Sequence, residues 1–218
     1  PRICGDEPAM LARMKESPLV YVGKNRCASA KMAAEDGAKV LVLDDGMQYR
    51  YLKRNFEIVL VTQDDFNGKS FLRENFRSLE RADLIVVMGA DDKNSVSMLL
   101  RDIAHFTKAP VCGVRYRLSP MKGQKVAAFC ALGNPQRFFN DLEKAGAEIV
   151  AKMVKPDHCA FSKQELAELA REAEVLVCTA KDMVKLQNID LPVVCAHAEL
   201  EFTFGKRHIE RIVYEVMD

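Results

Sequence analysis

Two adjacent carboxylates, Asp44 and Asp45, follow the apolar run Val40-Leu41-Val42-Leu43 and precede Gly46. A pair of hard oxygen ligands suits Mg²⁺, which takes one or two carboxylates and shares the rest of its shell with water and phosphate. A second set of reactive side chains stands far apart in sequence: Asp6 near the start, and His158 in the segment Pro156-Asp157-His158. A carboxylate beside an imidazole would form a dyad in which one group activates a hydroxyl. Each feature has a structural alternative. Asp-Gly is a common turn pair, Asp6 suits a helix N-cap, and loop histidines are usually solvated. Nothing in the spacing by itself brings Asp6 to His158.

The elements that position these residues follow from periodicity. Val40–Leu43 is short and bounded, which predicts a buried parallel strand. In open α/β sheets the ligand crevice lies beyond the carboxyl ends of the strands, which is where Asp44 and Asp45 would fall. Leu19–Gly23 predicts a preceding strand, and the alanine-rich segment up to Asp36-Gly37 a crossover helix, giving a βαβ unit. Lys24 and Arg26 would follow a strand end, facing either phosphate or solvent. Further strands are expected at 57–62, 83–88 and 110–114, with helices over 72–80 and 94–107 between them. This alternation argues for a parallel sheet. A second block opens near 118, with strands at 125–130, 147–154 and 175–178. Asn134-Pro135 starts one helix, and Ser162 with Glu165 forms a capping box for another. A β-prone run over 192–204 and a helix over 206–217 close the chain. The expected domains are therefore 1–118 and 119–218.

Composition excludes several classes. The chain has 218 residues, is 49% hydrophobic and carries a net charge of +1, so no bulk field favours nucleic acid. No stretch reaches the length of a spanning helix. Seven cysteines, an odd number with no C-x-x-C spacing, read as reduced core residues, not as a disulfide or zinc framework.

The motifs Gly5-Asp6-Glu7-Pro8, Val22-Gly23-Lys24-Asn25-Arg26, Leu43-Asp44-Asp45-Gly46-Met47-Gln48 and Asn67-Gly68 with Leu72-Arg73-Glu74 occur in order. Gly133-Asn134-Pro135-Gln136-Arg137-Phe138-Phe139, Pro156-Asp157-His158 and Thr179-Ala180-Lys181-Asp182 continue the series. Together they closely resemble the tetraacyldisaccharide 4'-kinases of lipid A biosynthesis, over essentially the whole chain. The resemblance implies transfer of the γ-phosphate of ATP, with Mg²⁺, to the 4'-hydroxyl of an acylated disaccharide 1-phosphate lipid. It implies a peripheral place at the cytoplasmic face of the inner membrane. Carried over, Asp6 matches the carboxylate acting on the acceptor hydroxyl, with His158 as its partner. Asp44 and Asp45 match acids near Mg²⁺, and Glu7, Arg73 and Glu74 match further residues around the nucleotide. The implied fold is a P-loop-NTPase-like parallel sheet with flanking helices plus a second, smaller α/β domain.

Two departures qualify the resemblance. No G-x-x-x-x-G-K-[ST] motif occurs in these residues, so the P-loop and its strand are expected to be missing. Ala180 stands where the family usually has glutamate. The chain is therefore expected to be part of a longer kinase, nearly inactive alone and with an exposed sheet edge. The alternative is a catalytically inactive short homologue that binds the lipid or a partner protein.

Overall fold

The structure is a computed structural model that describes residues 5–14, 17–157, 159–186 and 190–218. The Asp6 side chain and all of His158 lie outside the described residues, as does Cys4.

The chain forms a mixed α/β structure with parallel sheets and flanking helices. The helices are α1 (Asp6–Leu11), α2 (Arg26–Glu35), α3 (Gln63–Phe66), α4 (Ser97–Ala104), α5 (Pro135–Lys144), α6 (Lys163–Leu169), α7 (Ala180–Met183) and α8 (Lys206–Met217). The strands are β1 (Ile58–Val61), β2 (Leu84–Met88), β3 (Val111–Leu118), β4 (Lys125–Cys130), β5 (Glu148–Val154), β6 (Val175–Cys178), β7 (Val193–Cys195) and β8 (Ala198–Phe204). They make one sheet of order β1-β2-β3-β8 and another of order β5-β4-β6-β7. The pairs β1–β2, β2–β3, β4–β5, β4–β6 and β6–β7 are all parallel.

The chain divides into two compact units, one of residues 1–22 with 117–199, the other of residues 23–116 with 200–218. The sequence expectation of consecutive blocks, 1–118 and 119–218, differs from this at both ends. The reason is pairing and packing. β8 is hydrogen-bonded beside β3, which takes the C-terminal segment into the unit of residues 23–116. Conversely α1 packs against α7, within the unit that holds β4 to β7. Gly113 permits the close approach of β8, since a Cβ there would collide with the Phe204 ring.

Each sheet buries both faces of its central strands. In β4, Val126, Ala128 and Cys130 meet Phe138, Phe139 and Leu142 of α5, while Ala127 and Phe129 meet Phe161, Leu166 and Leu169 on the α6 side. Successive side chains of a strand point to opposite faces, so a strand covered on both sides reads as an unbroken apolar run. β2 does the same between α4 and α8: Ile85 and Val87 meet Leu99 and Ile103, whereas Leu84 and Val86 meet Ile212.

Three local expectations are corrected. Val40–Leu43 is not a strand, and neither is Leu19–Gly23, so the expected βαβ unit does not form among the described residues. An apolar run is fixed as a buried strand only when neighbouring strands take up its backbone groups. No strand of either sheet pairs with this run, and Val42 is 92% exposed. The helix expected over 72–80 is a 3-10 turn over Phe76–Arg81, opened by the Asn75 side chain accepting from the Arg77 amide. The β-prone run over 192–204 is broken into β7 and β8. The helices after Asn134-Pro135 and Ser162 form as expected, the latter with its capping box.

Candidate functional site

In the unit of residues 23–116 with 200–218, α2 begins at Arg26, capped by the Asn25 side chain, which accepts from the Ala28 amide. That cap fixes the Arg26 side chain at the helix start. Its Nη1 donates to the Asp44 carbonyl at 2.6 Å and to the Asp45 carbonyl at 3.0 Å. Arg26 is thus the residue that shapes the Asp44-Asp45 turn, a role its place in the sequence did not disclose. Asp45 takes a left-handed conformation, φ 50°, which aspartate tolerates better than most residues. Both carboxylates are exposed.

The Asp45 carboxylate is paired with Arg73 at 3.0 Å. The Asp44 carboxylate makes no ion pair among the described residues. Glu74 accepts from Arg81 at 2.7 Å and from Arg50 at 3.3 Å. The hydrogen bond from Arg81 is the main cause that holds its carboxyl below the usual range, with Arg50 adding to it. The structure thus brings Arg73 beside the Asp44-Asp45 turn. Glu74 instead bridges two arginines, neither of which sequence reasoning singled out. No pattern in the sequence pairs residues 50 and 81 with 74.

In the other unit, the candidate residues collect where parallel strands end. β4 runs into Ala131 and the Gly133-Asn134-Pro135 loop, β5 into Pro156-Asp157, and β6 into Thr179–Asp182. Because β4, β5 and β6 are parallel, these three segments share the carboxyl edge of the sheet. Thr179 caps α7, its side chain accepting from the Asp182 amide, and its hydroxyl donates to the Asp182 carboxylate at 2.7 Å. That carboxylate is fully buried, accepts from the Ala131 amide at 3.3 Å and pairs with Lys185 at 3.4 Å. Asp182 therefore locks α7 to the end of β4.

The same turn aims Lys181 at two acids. Its Nζ lies 2.8 Å from Glu7 and 3.5 Å from Asp157. The hydrogen bond to Glu7 is the main cause raising the Lys181 pKa, against the opposing effect of burial. Glu7, expected beside the nucleotide, is thus engaged by a cation from the Thr179–Asp182 turn. Asp6 is the first residue of α1, whose N-cap is Gly5; the sequence alternative of Asp6 as the cap residue is corrected accordingly. The pairing of the Asp6 and His158 side chains lies outside the described residues.

Cys112, Cys130 and Cys178 are buried, and burial pushes the Cys130 thiol up to about 11. No group of three or more His, Cys, Asp or Glu side chains that could hold a metal gathers among the described residues. The donor set at Asp44 and Asp45 still fits Mg²⁺, an ion that uses only one or two carboxylates and takes its other ligands from phosphate and water. No helix among the described residues is long and apolar enough to cross a membrane.

The chain is thus an α/β protein with an exposed acid pair, one member of which is paired with an arginine, and a separate charge-linked set at a sheet edge. A family model described as tetraacyldisaccharide-1-P 4'-kinase matches residues 1–218, and the chain belongs to that family. Among curated relatives, the tetraacyldisaccharide 4'-kinase of Chelativorans sp. (strain BNC1) is 32% identical over 206 residues, covering 88% of this chain and 58% of the relative. That of Desulfotalea psychrophila is 33% identical, covering 88% of this chain and 63% of the relative. That of Chlamydia pneumoniae is 34% identical, covering 85% and 56%. The chain thus spans about 60% of the length of the curated relatives it matches.

Proposed function

We propose that the protein transfers the γ-phosphoryl group of ATP to the 4'-hydroxyl of a tetraacyldisaccharide 1-phosphate. The observation that carries this reading is the Asp44-Asp45 turn: Arg26 holds its backbone, Arg73 answers one carboxylate, and the other makes no ion pair among the described residues. Phosphoryl transfer requires positioning and neutralisation of phosphate charge, with little covalent work for the protein. Asp44 and Asp45 would hold Mg²⁺, which would supply positive charge to neutralise the phosphates. Arg73 would pass from Asp45 toward a phosphate oxygen, for which its planar fork is suited. Glu74 acts through Arg50 and Arg81, and Glu7 through Lys181. Asp6 would accept the proton of the acceptor hydroxyl, with His158 tuning it.

The finer fold reading belongs here too. A strand and a P-loop outside these residues would complete the nucleotide-handling sheet. The exposure of Val42, Leu19 and Val22 and the greater length of the relatives support it. The domain reading is that residues near 117 separate a nucleotide-handling part from an α/β part, with the chain ends exchanged between them. Work at the cytoplasmic face of the inner membrane, by peripheral contact, fits an acylated acceptor.

The test is transfer of label from γ-labelled ATP to the lipid by the full-length natural protein. The expected result is one added phosphate at the 4' position, with the 218-residue stretch alone nearly inactive. Binding of the lipid without transfer by the full-length protein would instead support the inactive homologue.

A further inference from the structure

We propose that Lys181 is a positioning residue of this site, tying the segment that carries Asp6 to the segment that carries His158. The inference rests on the reading of Asp6 and His158 given above. Lys181 acts through their neighbours. It holds the residue next to each: Glu7 at 2.8 Å and Asp157 at 3.5 Å. Adjacent Cα atoms are about 3.8 Å apart across a trans peptide, so fixing residues 7 and 157 confines residues 6 and 158.

An ordinary surface ion pair would not serve, because two long exposed side chains rarely hold one geometry. Lys181 differs in three respects. Its side chain is only 19% exposed, so its stem is largely covered. Its backbone is fixed on both sides, by the Thr179 cap before it and by the buried Asp182 after it. It also joins three segments distant in sequence, and a second tie runs parallel to it, with Arg13 Nη1 donating to the Val184 carbonyl at 2.9 Å. α1 is thereby held to α7 at two points. The Thr179–Asp182 turn acquires a role that does not depend on residue 180, which explains how alanine is accommodated there.

In-line transfer is sensitive to placement: a shift of about 1 Å can cost on the order of 100-fold in rate. The test uses the full-length natural protein carrying Lys181→Gln, Lys181→Arg or Glu7→Gln, with thermal melts to confirm folding. For Lys181→Gln the expected result is a fall in kcat of about 10- to 100-fold, with KM for ATP unchanged. Lys181→Arg should recover most of the loss, since a second cation can span the same acids. If Lys181→Gln does not fold, Glu7→Gln removes one side of the bridge at an exposed position and must itself lower kcat. Unchanged kcat in the folded variants, or a loss confined to KM, overturns the inference. Asp6→Asn and His158→Ala separate this from failure of the underlying reading. If they abolish transfer while Lys181→Gln does not, only the inference falls. If they too leave kcat intact, the dyad reading falls and takes the inference with it.

Discussion

Two stretches of this chain have the same plan, an apolar run ending in an acid-bearing turn, and opposite fates. Val175-Leu176-Val177-Cys178 becomes β6, hydrogen-bonded between β4 and β7, with its last three residues fully buried. Its acid, Asp182, is buried and satisfied by Thr179, the Ala131 amide and Lys185. Val40-Leu41-Val42-Leu43 pairs with no strand among the described residues, and its acids, Asp44 and Asp45, stand in solvent. The first acid is an internal brace. The second pair is exposed, with Asp45 answered by Arg73 at the surface. Apolar residues make a run suitable for a strand, but neighbouring strands decide whether it becomes one, and that decides whether the following carboxylate is consumed by the fold.

The comparison breaks most visibly at the runs themselves. Val177→Asp should prevent folding of its unit, because it buries an unpaired charge between β4 and β7. Val42→Asp should change stability by no more than about 0.5 kcal/mol. Urea melts of the two variants check this, and comparable losses would erase the distinction. At the acids the contrast is smaller. Asp182→Ala should cost about 3–5 kcal/mol, since it removes a fully buried carboxylate from Thr179, the Ala131 amide and the nearly buried Lys185. Asp44→Ala should cost no more than about 0.5 kcal/mol in the same measurement.

The smallest effect is a pH dependence at the start of α6. The Lys155 ammonium 2.7 Å away, with the Ser162 amide, holds the Glu165 carboxyl at about 2, below its ordinary 4.5. A depressed folded-state value gives stability that is present above the unfolded pKa and disappears as pH falls through the folded one. Thermal melts between pH 5 and 2 should therefore show a loss over about pH 4.5 to 2 that Lys155→Met reduces. An unchanged slope in that variant would remove the brace from Glu165.

Much of the fold was legible because the central strands are covered on both faces. The runs at 84–88, 125–130 and 175–178 appear as strands at nearly the boundaries that periodicity gives, and the caps at Asn134 and Ser162 mark helix starts correctly. The run at 40–43 was misread because its composition matches theirs and only its partners differ. At the site, the acids were legible as residue types, but the pairing of Asp45 with Arg73 was not. The cations that organise them were not. Arg26 acts on backbone carbonyls, Arg50 and Arg81 converge on Glu74 from distant positions, and Lys181 reaches across segments. Such pairings follow from the tertiary arrangement and leave no local pattern.

The most direct test of the central claim is the rate of phosphate transfer to the disaccharide lipid by full-length Asp44→Asn, measured beside the unaltered protein. Asparagine keeps the shape and removes the charge. The account predicts a loss of about 100- to 1,000-fold in kcat with the melting transition unchanged, as for other groups placed to stabilise transition-state charge. Transfer at the unaltered rate by a folded Asp44→Asn protein would contradict it, and would move the phosphate-handling chemistry away from the turn.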